Sequence, residues 1–163
     1  MKTCVFAGTF DPPTRGHLDV IEKALEIFDH VVVAIMINPE KKPFFTQTER
    51  KKLMEKMLEN YDNVEVILYG GMLVNLLKDY DTKFYVRGIR NTDDYKYEAT
   101  MCYYNHDMYE DIITIFIPTP QDLSYVSSSA IRELINMDVD FANYVPISIY
   151  EDIKKLVKAK KNG

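Results

Sequence analysis

The chain has 163 residues, 47% of them hydrophobic, enough to fill one core without disulfides or metals. Its 25 acidic residues outnumber 20 basic ones, for a formal net charge of -5, which excludes a general nucleic-acid binder, whose affinity rests on a broad basic surface. Cys4 and Cys102 stand far apart in no C-x-x-C pair, which argues against a zinc site or disulfide framework and fits a reducing cytoplasm.

The start, Met1-Lys2-Thr3-Cys4, runs into a strand pattern with no export signal, and the longest apolar run, Val31 to Ile37, is far below the roughly 20 residues of a membrane span. Apolar, β-branched runs at Thr3–Phe6, Val31–Ile37, Val64–Leu68, Lys83–Val86 and Ile112–Ile117 predict strands. Helical periodicity lies between them. Leu18, Ile21, Leu25 and Phe28 predict a helix from Gly16 to Phe28. Thr46 and Glu49 form a capping box ahead of a buried stripe of Leu53, Met54, Met57 and Leu58. A shorter helix is expected around Leu73–Tyr80, and others over Asp93–Asn105, Ser128–Met137 and residues 148–160, the last opened by Ser148 with Glu151. The C-terminal lysines suit a solvated helix end.

This alternation reads as a single α/β domain over residues 1–163, a doubly wound, Rossmann-like fold with a five-stranded parallel sheet. Near-continuous hydrophobic strands such as Val31–Ile37 are what a sheet covered on both faces demands. Ligands of such sheets bind beyond the carboxyl ends of the strands, where the strand order reverses. Four strands are followed there by suggestive residues: Gly8 to His17, Asn38 to Phe45, Arg87 to Arg90, and Pro118 to Ser129.

The segment Gly8-Thr9-Phe10-Asp11-Pro12-Pro13-Thr14-Arg15-Gly16-His17 delivers a histidine to a helix start, where unpaired N–H groups favour anions. Thr14-x-Gly16-His17 resembles the T/H-x-G-H signature of a nucleotidyltransferase superfamily, and Ser127-Ser128-Ser129-Ala130-Ile131-Arg132 its second signature, in the expected order. With Asn38-Pro39-x-Lys41-Lys42-Pro43, Arg87-Gly88-Ile89-Arg90 and Asp94-Tyr95-x-Tyr97-Glu98, the whole chain resembles the bacterial phosphopantetheine adenylyltransferases.

The resemblance implies transfer of an adenylyl group from Mg-ATP to 4'-phosphopantetheine, with Mg2+ carried by the ATP phosphates and no metal ligand from the protein. It implies that His17 stabilises the transition state, with Thr9, Lys41 and Arg90 also at the reacting centre. Acceptor-binding residues map onto Thr9, Lys41, Leu73 and Arg87. ATP-binding residues map onto Thr9, Phe10, His17, Gly88, Ile89, Arg90, Glu98 and the stretch Leu123, Ser124, Tyr125, Val126, Ser127, Ser128 and Ser129. The resemblance further implies a cytosolic homohexamer inhibited by coenzyme A. Phe6, Ala7 and Leu123 depart from tyrosine, proline and tryptophan frequent in that family, without loss of a charged group. The tyrosines at 95, 97, 103 and 104 are expected to pack, at a subunit contact, rather than to stack bases. The alternatives are a glycerol-phosphate cytidylyltransferase, a nicotinate-mononucleotide adenylyltransferase, or a non-catalytic nucleotide binder on the same scaffold.

Overall fold

The computed structural model describes residues 1–163. Five strands, β1 (Thr3–Gly8), β2 (His30–Met36), β3 (Val64–Tyr69), β4 (Phe84–Ile89) and β5 (Ile113–Pro118), form one all-parallel sheet in the order β3-β2-β1-β4-β5. Six helices connect and follow them: α1 (Arg15–Ile27), α2 (Gln47–Met57), α3 (Leu73–Asp79), α4 (Thr92–Met108), α5 (Ser128–Asn136) and α6 (Ile147–Asn162). The doubly wound α/β expectation holds.

Alternation along the strands feeds two cores. Cys4, Phe6, Val31, Val33 and Ile35 face the larger one, with Ile21 and Ala24 of α1, Met54 of α2, Ile131 of α5 and Ile149 of α6. Val5, Ala7, Val32 and Ala34 face the smaller one, against Leu76 and Leu77 of α3. Helix α6 lies against α2, where Lys160 reaches Glu49 at 3.1 Å and Lys56 reaches Asp152 at 2.5 Å.

Two expectations change. Strand β4 continues to Ile89, so Arg87 and Gly88 stand within the strand rather than after it. Helix α6 begins one residue earlier than Ser148, after Pro146 at φ -58, and Ser148 makes no side-chain cap. Proline fixes the φ needed at a helix entrance, and it displaces the serine into the first turn. In the single chain Tyr97, Tyr103 and Tyr104 are exposed on α4, and Tyr95 meets the edge of Phe116, with ring centroids 5.7 Å apart. The one side chain that α4 buries beside the switch point is Glu98.

The strand order reverses between β1 and β4, and α1 crosses that point. Gly88 makes the crossing possible, because a Cβ there would lie 2.8 Å from Val20 Cγ2. Gly88→Ala is therefore expected to lower stability by about 1–3 kcal/mol through overpacking and to tilt the helix that begins at the histidine. Thermal melting checks the first part; a variant melting with the wild type would contradict it.

Candidate active site

Beyond the carboxyl ends of β1, β2, β4 and β5 lies an open cleft of about 1380 Å³. That exceeds the roughly 300–1,000 Å³ of a typical small-ligand pocket, so it has room for two substrates side by side. Its walls carry six cationic side chains, Lys41, Lys42, Arg50, Arg87, Arg90 and Arg132, against three carboxylates, Asp11, Asp94 and Glu98. An acidic protein thus concentrates positive charge where the sheet topology puts its binding site.

Two helix N-termini open into this cleft. Helix α1 starts with a capping box of unusual composition. Thr14 accepts from the His17 N–H at 3.2 Å, and the His17 side chain closes the box through Nδ1, which accepts from the Thr14 N–H at 3.0 Å. Glutamate or glutamine ordinarily holds that third position. With Nδ1 engaged as an acceptor, the ring hydrogen belongs on Nε2, which leaves one directed donor. Edge-on packing against Phe10, centroids 4.8 Å apart, fixes the ring plane. Phe10 reaches this place through a left-handed backbone conformation at φ 50.

Burial, then the charges of Arg87 and Arg90, push the His17 pKa down to about 3. The imidazole is therefore neutral in the free protein throughout the physiological range. NMR titration of the ring is expected to show the Nε2–H tautomer without a midpoint between pH 5 and 8. The linkage sign follows: the unfolded histidine, with a pKa near ~6.5, binds a proton that the folded one refuses, so this group costs stability as pH falls from about 6.5 toward about 3. A His17 midpoint near neutrality would overturn both statements.

Helix α5 supplies the second N-terminus. Ser127 is its cap, accepting from the Ala130 N–H at 3.0 Å; Ser128 donates to the Pro12 carbonyl at 2.7 Å; Ser129 accepts from Arg132 Nη2 at 3.1 Å. The Ser128 hydroxyl thus holds the loop at Pro12, while the Ser128 and Ser129 amides at the helix start remain for an anion.

The cations differ in how they are held. Arg87 donates through Nη1 to the Ala7 carbonyl and through Nη2 to Glu98 Oε1, both at 2.5 Å, and its buried Nε has no partner in the chain. Glu98 is only 7% exposed, so the acid is no solvent-facing first-turn residue but a counter-charge to Arg87. Arg90 rests on Asp94, in the first turn of α4, with Nε to Oδ2 at 3.0 Å. Lys41 and Lys42 are exposed and make no salt bridge.

Of the residues expected at the site, the cleft gathers Thr9, Phe10, His17, Lys41, Arg87, Gly88, Arg90, Glu98 and Val126 to Ser129. It does not gather Leu73, Ile89, Leu123, Ser124 or Tyr125. Leu73 packs against the smaller core, Leu123 is buried, and Tyr125 turns toward Tyr144, centroids 5.9 Å apart. Among the charged residues of the cleft, Arg50 stood in no sequence motif, and Asp11 and Asp94 stood in motifs without an assigned role. For Arg50 a signal existed, since it extends the buried stripe of Leu53, Met54 and Met57 by one turn.

Comparison with known proteins converges on one group. A family model described as cytidylyltransferase-like matches residues 5–134. A phosphopantetheine adenylyltransferase of Streptococcus pneumoniae is 44% identical over 154 residues, covering 94% of this chain and 95% of that protein. Proteins of the same name from Natranaerobius thermophilus and Clostridium botulinum are 38% identical over 163 residues and 37% over 161, covering 100% and 99% of this chain and 98% of each of theirs. At such identity over nearly the full length of both partners, the chain belongs to the phosphopantetheine adenylyltransferase family of cytidylyltransferase-like enzymes.

Proposed function

We propose that this chain transfers the adenylyl group of ATP to 4'-phosphopantetheine, giving dephospho-coenzyme A and pyrophosphate in coenzyme A biosynthesis. The observation that carries the reading is the convergence of a neutral, tautomer-fixed His17 with Lys41, Arg87, Arg90 and two helix N-termini in one large cleft. An oxygen of the acceptor phosphate attacks the α-phosphorus of ATP, a new P–O bond forms, the bond to the bridging oxygen breaks, and pyrophosphate leaves with the electron pair. The attacking phosphate is already anionic near neutral pH, so no general base is needed. Bringing two such anions together costs on the order of 1 kcal/mol per unit-charge pair at 4 Å in water and several-fold more in a drier cleft. The cleft's cations and helix ends offset that repulsion.

In this scheme Lys41 and Arg87 hold the acceptor phosphate. His17 Nε2–H, Arg90 and the α5 N-terminus meet the triphosphate, with Thr9 between the two substrates. Gly88 and Glu98 border the nucleotide. Magnesium arrives as Mg-ATP and neutralises phosphate charge. The three cleft carboxylates suit that arrangement, because Asp11 accepts two backbone N–H groups while Asp94 and Glu98 are paired with arginines. No helix is long and apolar enough to cross a membrane, and a cytoplasmic place is part of the same proposal. So are a homohexamer, which mass photometry would weigh, and inhibition by coenzyme A, which carries the pantetheine arm of the product.

Pyrophosphate release with Mg-ATP and phosphopantetheine, and none with nicotinate mononucleotide or with CTP and glycerol 3-phosphate, is the expected result. Release with a different acceptor alone would overturn the substrate. Binding of ATP without release in any well would favour a non-catalytic binder. For Lys41→Ala, calorimetric titration is expected to show about tenfold weaker acceptor binding with ATP affinity unchanged, the loss of one charge-assisted contact. The reverse pattern would move Lys41 to the nucleotide.

A further inference from the structure

Asp11 is a carboxylate in a cleft built for anions, and it is 4% exposed. On charge alone a neutral residue would serve there better. Its two oxygens explain its presence: Oδ2 accepts from the Phe44 N–H and Oδ1 from the Phe45 N–H, each at 2.8 Å. Both amides belong to the end of the 38–45 loop, which carries Lys41. No cationic side chain forms a salt bridge with Asp11.

Arg50 braces the same two segments from the other side. Only 3% exposed, it donates Nε to the Phe45 carbonyl at 3.1 Å and Nη1 to the Thr9 carbonyl at 2.8 Å. A buried guanidinium and a buried carboxylate thus each tie residues 9–11 to residues 44–45, and burial acting on Arg50 is countered by the charge of Asp11. A third tie joins the serine helix, since Arg132 Nη1 donates to the Asp11 carbonyl at 2.7 Å. Within the loop itself the ties are local, from the Lys41 N–H to the Asn38 carbonyl at 3.1 Å and from the Glu40 N–H to Asn38 Oδ1 at 3.0 Å. Nothing else fixes Lys41, whose side chain is exposed.

We propose that Asp11, braced by Arg50, is a positioning residue for the acceptor: by accepting from two consecutive loop amides it sets where Lys41 stands relative to the N-termini of α1 and α5. This rests on the reading that Lys41 meets the acceptor phosphate. The role requires two acceptor oxygens, and so distinguishes aspartate from asparagine, whose side chain has one.

The test compares wild type, Asp11→Asn, Lys41→Ala and the double variant in steady-state kinetics, together with hydrogen exchange of residues 38–46 in the substrate-free protein. Asp11→Asn is expected to raise the KM for phosphopantetheine about tenfold, the scale of one hydrogen bond to a charged group, with the KM for ATP within about twofold. In the Lys41→Ala background the same change is expected to add less than about twofold, because the two residues act through one contact. The Phe44 and Phe45 amides are expected to exchange faster in Asp11→Asn. Equal rises in both KM values, full additivity with Lys41→Ala, or unchanged exchange would each overturn the role. Should Asp11→Asn not fold, Arg50→Lys, which keeps the charge but cannot reach both carbonyls, carries the same expectations. Wild-type protein inactive on phosphopantetheine would sink the functional reading, and exchange alone would then decide whether Asp11 tethers the loop.

Discussion

Replacing His17 by alanine is expected to lower kcat by about 10²–10³-fold, the usual effect of deleting one preorganised donor, while the KM for ATP stays within about threefold. The reasoning begins with the ring's neutrality. A cation at this position would attract ground-state triphosphate and transition state alike, whereas a neutral Nε2–H donor gains most where phosphate charge accumulates during bond exchange. The substitution also removes one half of the α1 capping box, and about 1 kcal/mol of stability with it. Steady-state kinetics and urea unfolding measure the two losses separately. A rise in KM alone would assign His17 to binding, and unchanged kcat would remove it from the reaction.

Glu98→Ala is expected to damage both stability and acceptor binding. Glu98 is almost wholly enclosed and pairs with Arg87 at 2.5 Å, so truncation strands a guanidinium whose Nε already lacks a partner. Breaking a buried pair typically costs 3–5 kcal/mol, and because a quarter of the Arg87 side chain stays open to water the expected loss is lower, about 2–3 kcal/mol. It should appear as a lower urea midpoint with an unchanged slope. The double variant Arg87→Met, Glu98→Leu is expected to regain most of that stability while binding phosphopantetheine no better, since the charge pair is replaced by apolar contact and the phosphate loses its cation. Wild-type stability in Glu98→Ala would show that water already screens the pair. Full acceptor affinity in the double variant would take Arg87 out of the acceptor site.

How much of this could be read from sequence depended on the range of the interactions. The Thr46 and Glu49 cap lies within one turn and formed as read. The five strands and both motifs followed from local pattern and order. The Ser148 and Glu151 cap failed for an equally local reason, since Pro146 two residues earlier takes the helix entrance. Arg87, Gly88 and Ile89 looked like a loop because an arginine and a glycine interrupt the apolar run, yet the carbonyl of Ala7 and the carboxylate of Glu98 satisfy the arginine within the sheet. Leu73 was placed at the acceptor by resemblance; the fold packs it, half-buried, against the smaller core. Asp11 and Arg50 could not be joined from sequence, because the bonds from Phe44 and Phe45 to Asp11 and from Arg50 to Thr9 span more than thirty residues and carry no periodicity.

The composition of the α1 capping box limits what evolution can do at position 17. Glutamate, the usual closing residue, would keep the helix start and set an anion among converging phosphates. Alanine would forfeit both functions, and lysine could donate but not accept from the Thr14 N–H. Folding and the proposed chemistry draw on opposite nitrogens of one ring, so a compensating change elsewhere can repair one loss only. A lineage drifting away from histidine here must give up at least one of the two, whatever stability the rest of the domain holds in reserve.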